Sequence, residues 1–209
     1  MLKNYGKLDN RYFQNKLKKI ASYCKGSVLD VGGYTGELSR YIKGTYVLVD
    51  GDKDAINYFN DRTMRESYLI DLNKESLPKG RLFNSVVLSD LIDIVFDADK
   101  LLTESVAIAK DKVIISVTND NTIYHRLRVL FGKGINKTPF CIHYHLRHPT
   151  FKQWEEFIDK YLVRKEVSYW ICFRKEKPLW LDWILLKLAD SMPNLFARVA
   201  IYECRLRSK

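Results

Sequence analysis

The chain has 209 residues, 46% of them hydrophobic and 29% charged, which suits one globular domain with a sizeable core and excludes a wholly disordered chain. Its 35 Lys and Arg against 25 Asp and Glu leave a net charge of +10, which would suit a nucleic-acid or membrane-surface partner as well as a plain Lys-rich surface. No block reaches five like charges, so the diffuse-surface reading is preferred.

Residues 1–26 form a helical N-terminal segment without the apolar run of a signal peptide, and a cytoplasmic location is expected. From about residue 27 to 117, apolar runs alternate with helical patterns, the signature of βαβ units and a parallel sheet. Val28-Leu29-Asp30-Val31 reads as a first strand, followed by a glycine turn and a helix over 35–42. Tyr46 to Val49 is a second strand, and 54–60 a second helix. Residues 67–70 form a weak third strand and 85–88 a fourth. A helix over 97–109 and a strand over 112–116 complete this half.

Beyond Val117 the pattern changes. Residues 121–131 read as a helix, and 132–149 as an irregular stretch holding three of the four histidines. Thr150 is placed to cap a helix over 150–161. A strand over 163–173, a Trp- and Leu-rich helix over 179–189 and a closing strand over 196–206 complete the chain. The 179–189 run is too short and too charged to span a bilayer. The four cysteines are far apart and form no CxxC pair, so reduced thiols are expected and no metal site. His143, His145 and His148 lack flanking acids, which favours substrate-loop or surface histidines over ligands.

The sharpest local signal is Val28-Leu-Asp-Val-Gly-Gly-Tyr-Thr-Gly36. Gly32 permits a sharp turn after the strand, and Gly36 lets the start of the next helix pack close to that strand. Asp30 bears on the ligand. A pyrophosphate would be repelled by a carboxylate at this strand end, whereas S-adenosylmethionine carries an ammonium and a sulfonium. Asp50 ends the second strand, where it can accept ribose hydroxyls. Asp71 and Leu72 come after the third, where an acid can meet the adenine amino group and an apolar side chain can cover the ring.

Residues 27–117 resemble the class I S-adenosylmethionine-dependent methyltransferase core. The resemblance implies one Rossmann-like α/β domain over 1–209, with a seven-stranded, mostly parallel sheet, an antiparallel edge strand and helices on both faces. It implies a cofactor site of Asp30, Gly32, Gly33, Tyr34, Gly36, Asp50, Asp71, Leu72 and Ser89. The segment Phe83 to Val95 resembles the part of the family that lines the cofactor's methionine end. Asn119, Tyr124 to Arg128, Leu130 to Gly132, Thr138-Pro139, His148 to Phe151, Trp154 and Met192 to Ala197 are similar to the MetW-like branch. Two departures stand out: Tyr34 replaces the usual second glycine, and Ile94 stands where many relatives have histidine.

In-line methyl transfer rests on positioning and desolvation, with a base only where the acceptor must lose a proton. Asp90, His143 and His145 are the candidates, and Asp90 is equally suited to hydrogen-bonding the cofactor. The segment lacks an Asn-Pro-Pro-aromatic motif, and no Pro-Cys nucleophile is present, which favours a small-molecule acceptor reached past a lid over 118–149. A non-catalytic regulatory protein and a nucleic-acid methyltransferase are the alternatives.

Overall fold

The computed structural model describes residues 10–135, 146–171 and 178–207. Seven strands form one sheet in the order β3-β2-β1-β4-β5-β7-β6, comprising β1 (Val28–Val31), β2 (Tyr46–Asp50), β3 (Glu66–Leu69), β4 (Phe83–Ser89), β5 (Ala109–Thr118), β6 (Leu162–Trp170) and β7 (Val199–Leu206). β3 to β5 pair in parallel through β2, β1 and β4. β7 runs against both β5 and β6 and so makes the antiparallel pair at that edge.

The central strands are apolar along their length because helices cover both faces, leaving no water-facing side to demand polar alternation. On one face Leu29, Val31, Val86, Leu88 and Ile115 pack under α3 (Ala98–Ile108) and α5 (Phe151–Ile158). On the other, Val28, Tyr46, Leu48, Val87 and Ile114 meet α1 (Arg11–Tyr23) and α2 (Lys53–Arg62). Asp30 points to this second face, as the period of two from Val28 requires.

Helix ends are set by local chemistry. Asn10, Asp52, Asp97 and Thr150 each accept a backbone N–H in the first turn of their helix. Thr150 and Gln153 form a reciprocal capping box on α5, which buries Phe151, Trp154 and Ile158. Each such apolar side chain contributes roughly 1.5–3 kcal/mol on burial.

Two expectations are corrected. The helix expected over 35–42 is a 3-10 helix at Glu37–Tyr41. Gly36 takes a left-handed φ of +69° ahead of it, and Ile42 is already extended after it, which leaves too few residues for a costly α-helical nucleus to propagate. The closing strand begins at Val199 rather than 196, because Pro193–Phe196 forms a short helix (α7) after α6 (Leu179–Ser191). The remaining helix, α4, is Ile123–Leu130. Cys24 and Cys204 are free thiols, while Cys141 and Cys172 lie outside the described residues.

Candidate functional site

The strand order reverses direction at β1 and β4, and a cavity of about 800 Å³ opens there beyond the carboxyl ends of the strands. Nine of the predicted residues line it: Asp30, Gly32, Gly33, Tyr34, Asp50, Asp71, Leu72, Ser89 and Asp90. Gly36 does not. Its missing side chain makes room for the Phe59 ring on α2, so this glycine is a packing device. His143 and His145 lie outside the described residues, as do residues 136–145 of the expected lid.

Asp30 is buried, and the Tyr46 hydroxyl donates to its Oδ2 at 2.5 Å. Its Oδ1 has no partner. Burial pushes the Asp30 carboxyl up to about 7, a rise that the Tyr46 hydrogen bond opposes and the charge of Asp50 assists. A Cβ on Gly33 would collide with Asp30 Oδ2 and with Leu48, and one on Gly32 would lie 2.7 Å from Leu91. The glycine pair therefore lets the backbone pass close to the carboxylate. Thr35 Oγ1, also buried on this wall, is a second unpartnered oxygen.

Tyr34 and Asp90 are the two non-glycine residues with positive φ among those described, both at 51°, and both line the cavity. This conformation costs a non-glycine residue roughly 1–2 kcal/mol. In Tyr34 it aims the backbone N–H at Asp50 Oδ2, 2.7 Å away. Asp50 Oδ1 accepts from the Asp52 N–H at 2.8 Å. Burial raises the Asp50 carboxyl, and these two backbone donors pull it back. Asp71 is more open. Lys74, at 2.9 Å, and the Asn73 N–H hold its carboxyl below the usual carboxylate range. Leu72 rests against the core.

Asp90 is engaged on both oxygens. Ser116 Oγ donates to Oδ1 at 2.8 Å, and Oδ2 forms an ion pair with the Lys16 ammonium. Lys16 is only 4% exposed and comes from α1, whose Phe13 and Leu17 wall the cavity. Sequence reasoning missed this wall. Its signal was the stripe Phe13, Lys16, Leu17, Ile20, a helical face with one lysine among apolar residues. Glu37, paired with Arg40, was missed too.

The lining thus carries six carboxyl side chains (Asp30, Glu37, Asp50, Asp52, Asp71 and Asp90) against one lysine, Lys53, in a chain of net charge +10. A polyphosphate would meet this wall unfavourably. The 3-10 turn after Gly36 also withholds the long α-helical N-terminus that phosphate sites use. A ligand with cationic groups and hydroxyl donors fits.

Next to the lining residue Val95, Leu146 N–H donates to Asp93 O at 2.8 Å, and the Arg147 guanidinium donates to Val95 O and Phe96 O at 2.6 Å. Asp120, nearly buried, pairs with His148 Nδ1 at 2.7 Å and with Arg198.

No family model and no curated protein sequence matches the chain. Solved structures do. One is the N-methyltransferase NodS from Bradyrhizobium japonicum WM9 in complex with S-adenosyl-l-homocysteine, with 11% identity over 96% of this chain and 90% of that one and a TM-score of 0.63. Another is a Thermotoga maritima S-adenosylmethionine-dependent methyltransferase described as a possible histamine N-methyltransferase, with 12% identity over 94% and 90% and a TM-score of 0.69. A third is the plantazolicin methyltransferase BpumL in complex with a pentazolic desmethylPZN analog and S-adenosylhomocysteine, with 14% identity over 98% and 89% and a TM-score of 0.64. At such identities the likeness is one of fold: the chain has the Rossmann-like fold of these methyltransferases.

Proposed function

We propose that this chain is an S-adenosylmethionine-dependent methyltransferase, a single domain acting on a small-molecule acceptor. One observation carries the reading. Asp30, one of whose carboxyl oxygens is buried without a partner, lines an acid-rich cavity at the carboxyl ends of a parallel sheet. The solved NodS and BpumL structures of the same fold, in complex with S-adenosylhomocysteine, support it.

In this reading Asp30 receives the cationic part of the ligand, and Gly32 and Gly33 let the backbone approach it. Asp50 accepts the ribose hydroxyls, held in place by the Tyr34 and Asp52 N–H groups. Asp71 and Leu72 take the adenine ring, and Ser89 and Asp90 the methionine end. The bound cofactor would supply an electrophilic methyl group on a sulfonium. The chain's part is to orient the two reactants and exclude water, with Phe13, Leu17, Leu91 and Val95 as the apolar walls.

With Lys16 and Ser116 on its oxygens, Asp90 acts as an orienting anion rather than as the group that removes an acceptor proton. The MetW-like branch remains the finer assignment. Several residues that suggested it meet in one knot, where Asn119 Nδ2 donates to Asn194 O and Ala197 O, and Phe151 N–H donates to Asn194 Oδ1.

Calorimetry with S-adenosylmethionine and S-adenosylhomocysteine tests the proposal. Both are expected to bind and to raise the melting temperature by mass action. Absence of a thermal shift at millimolar ligand overturns it.

A further inference from the structure

Helix α6 has two apolar faces. Ala189 is fully buried on one, and Leu185 and Leu186 rest on the core beside it. The other carries Leu179, Trp180 and Trp183, exposed by 71%, 67% and 61%. Helix α4 buries none of its residues, and its Leu130 and the adjoining Phe131 are 75% and 73% exposed. Lone exposed apolar residues are ordinary, but clusters on two helices mark a surface that meets something.

Both helices belong to one end of the sheet. α4 leaves just after Thr118, at the carboxyl end of β5. α6 and α7 fill the excursion between Trp170 of β6 and Val199 of β7, which pair with each other beside Thr118. The bonds from Asn119 to Asn194 and Ala197 tie the root of α4 to the end of α7. The cavity opens at this same end.

We propose that this end of the molecule docks on an anionic lipid surface, with α4 and the outer face of α6 at the headgroup boundary. Charge and side-chain type together select that occupant. Residues 121–135 contain Arg126, Arg128 and Lys133 and no acid, within a chain of +10. On α6 the Lys187 ammonium sits 3.8 Å over the Trp183 ring, and Asp182 is turned inward to Arg11 and Tyr12. The one exposed acid of α6, Asp190, lies in the last turn, so the basic charge of the surface comes chiefly from α4 and the residues after it. Tryptophan and tyrosine rings favour the boundary between acyl chains and headgroups, while lysine and arginine reach the phosphates from it. No helix among the described residues is long and apolar enough to cross a membrane, so the contact is peripheral. A nucleic acid would satisfy the arginines and leave Leu130 and Leu179 without apolar contact.

The surface stands independently of methyl transfer, and its test needs no cofactor. The full chain is floated with vesicles of phosphatidylcholine alone, or of phosphatidylcholine with about 30 mol% phosphatidylglycerol. It is expected to float with the anionic vesicles, with a blue shift of tryptophan emission, and to associate at least about tenfold less with the neutral ones. Leu130→Ser/Phe131→Ser and Trp180→Ser/Trp183→Ser are each expected to lower association about tenfold or more while keeping the wild-type melting temperature. Failure to float with anionic vesicles overturns the proposal, as does flotation that neither variant changes. A stable dimer in solution that the same variants dissolve also overturns it, assigning the surface to a second copy of the chain.

Discussion

The Tyr46 hydroxyl holds one oxygen of Asp30 at 2.5 Å and leaves the other buried without a partner. The two residues sit on neighbouring strands, β1 and β2, with side chains on the same face. Tyr46 thus orients a carboxylate that burial alone would favour in its neutral form.

The first prediction comes from that burial. Asp30 is raised from 3.8 to about 7 on folding, so the folded state binds its proton more tightly than the unfolded chain. The resulting stability is complete below about pH 4 and is lost as pH rises through about 7. Three units correspond to roughly 4 kcal/mol as an upper bound. Asp30→Asn, which cannot ionise, should therefore be more stable than wild type at pH 8 and similar to it only near pH 4, while losing affinity for S-adenosylhomocysteine. Melting curves across this range check it. A pH-independent difference between the two proteins contradicts the assignment.

Asp50→Ala should weaken S-adenosylhomocysteine binding by about 2–4 kcal/mol, the loss of two hydrogen bonds to a charged acceptor. It should also lower the melting temperature by a few degrees, since the Tyr34 and Asp52 N–H groups lose their acceptor. Asp50→Asn keeps an acceptor oxygen and should restore part of both losses. Titration calorimetry of the three proteins decides; unchanged affinity in Asp50→Ala removes this residue from the ribose site.

Lys16→Met leaves the Asp90 carboxylate facing an apolar wall. Because Asp90 keeps a third of its side chain exposed, the expected cost is about 1–2 kcal/mol, below that of a fully buried pair. Adding Asp90→Asn should recover most of it. A double-mutant cycle in urea measures the coupling, and additive losses would show that the pair contributes nothing as a pair.

Replacing a well-placed residue by glycine normally costs stability through the unfolded chain. Tyr34 is an exception, because its φ of 51° is already strained. Tyr34→Gly should be within about 0.5 kcal/mol of wild type, the relief of strain offsetting the added entropy. It should still bind S-adenosylhomocysteine, since the N–H to Asp50 is a backbone group. A loss above about 2 kcal/mol in denaturant unfolding would assign the tyrosine ring a packing role that outweighs the strain.

The strands, their parallel order and the acids at three strand ends were legible in the sequence because each rests on local pattern. Apolar runs of four to seven residues can only be buried strands when they alternate with amphipathic helices, and the residue that ends such a strand must emerge at the carboxyl edge. Thr150 was likewise readable as a cap, since the capping box needs only the four residues that carry it. The 3-10 turn after Gly36 was not, because a helical pattern over eight residues does not reveal that Gly36 must pack on Phe59 and leave no length for an α-helix. Nor was the partner of Asp90. Lys16 lies 74 positions away in the chain, and only the docking of α1, whose Phe13 and Leu17 line the cavity, brings its ammonium to Asp90. Local spacing sets which side chains share a face. Which face then closes over which strand end is decided by long-range packing, where the burial of Leu17 and Ile20 outweighs the cost of carrying a lysine inward with them.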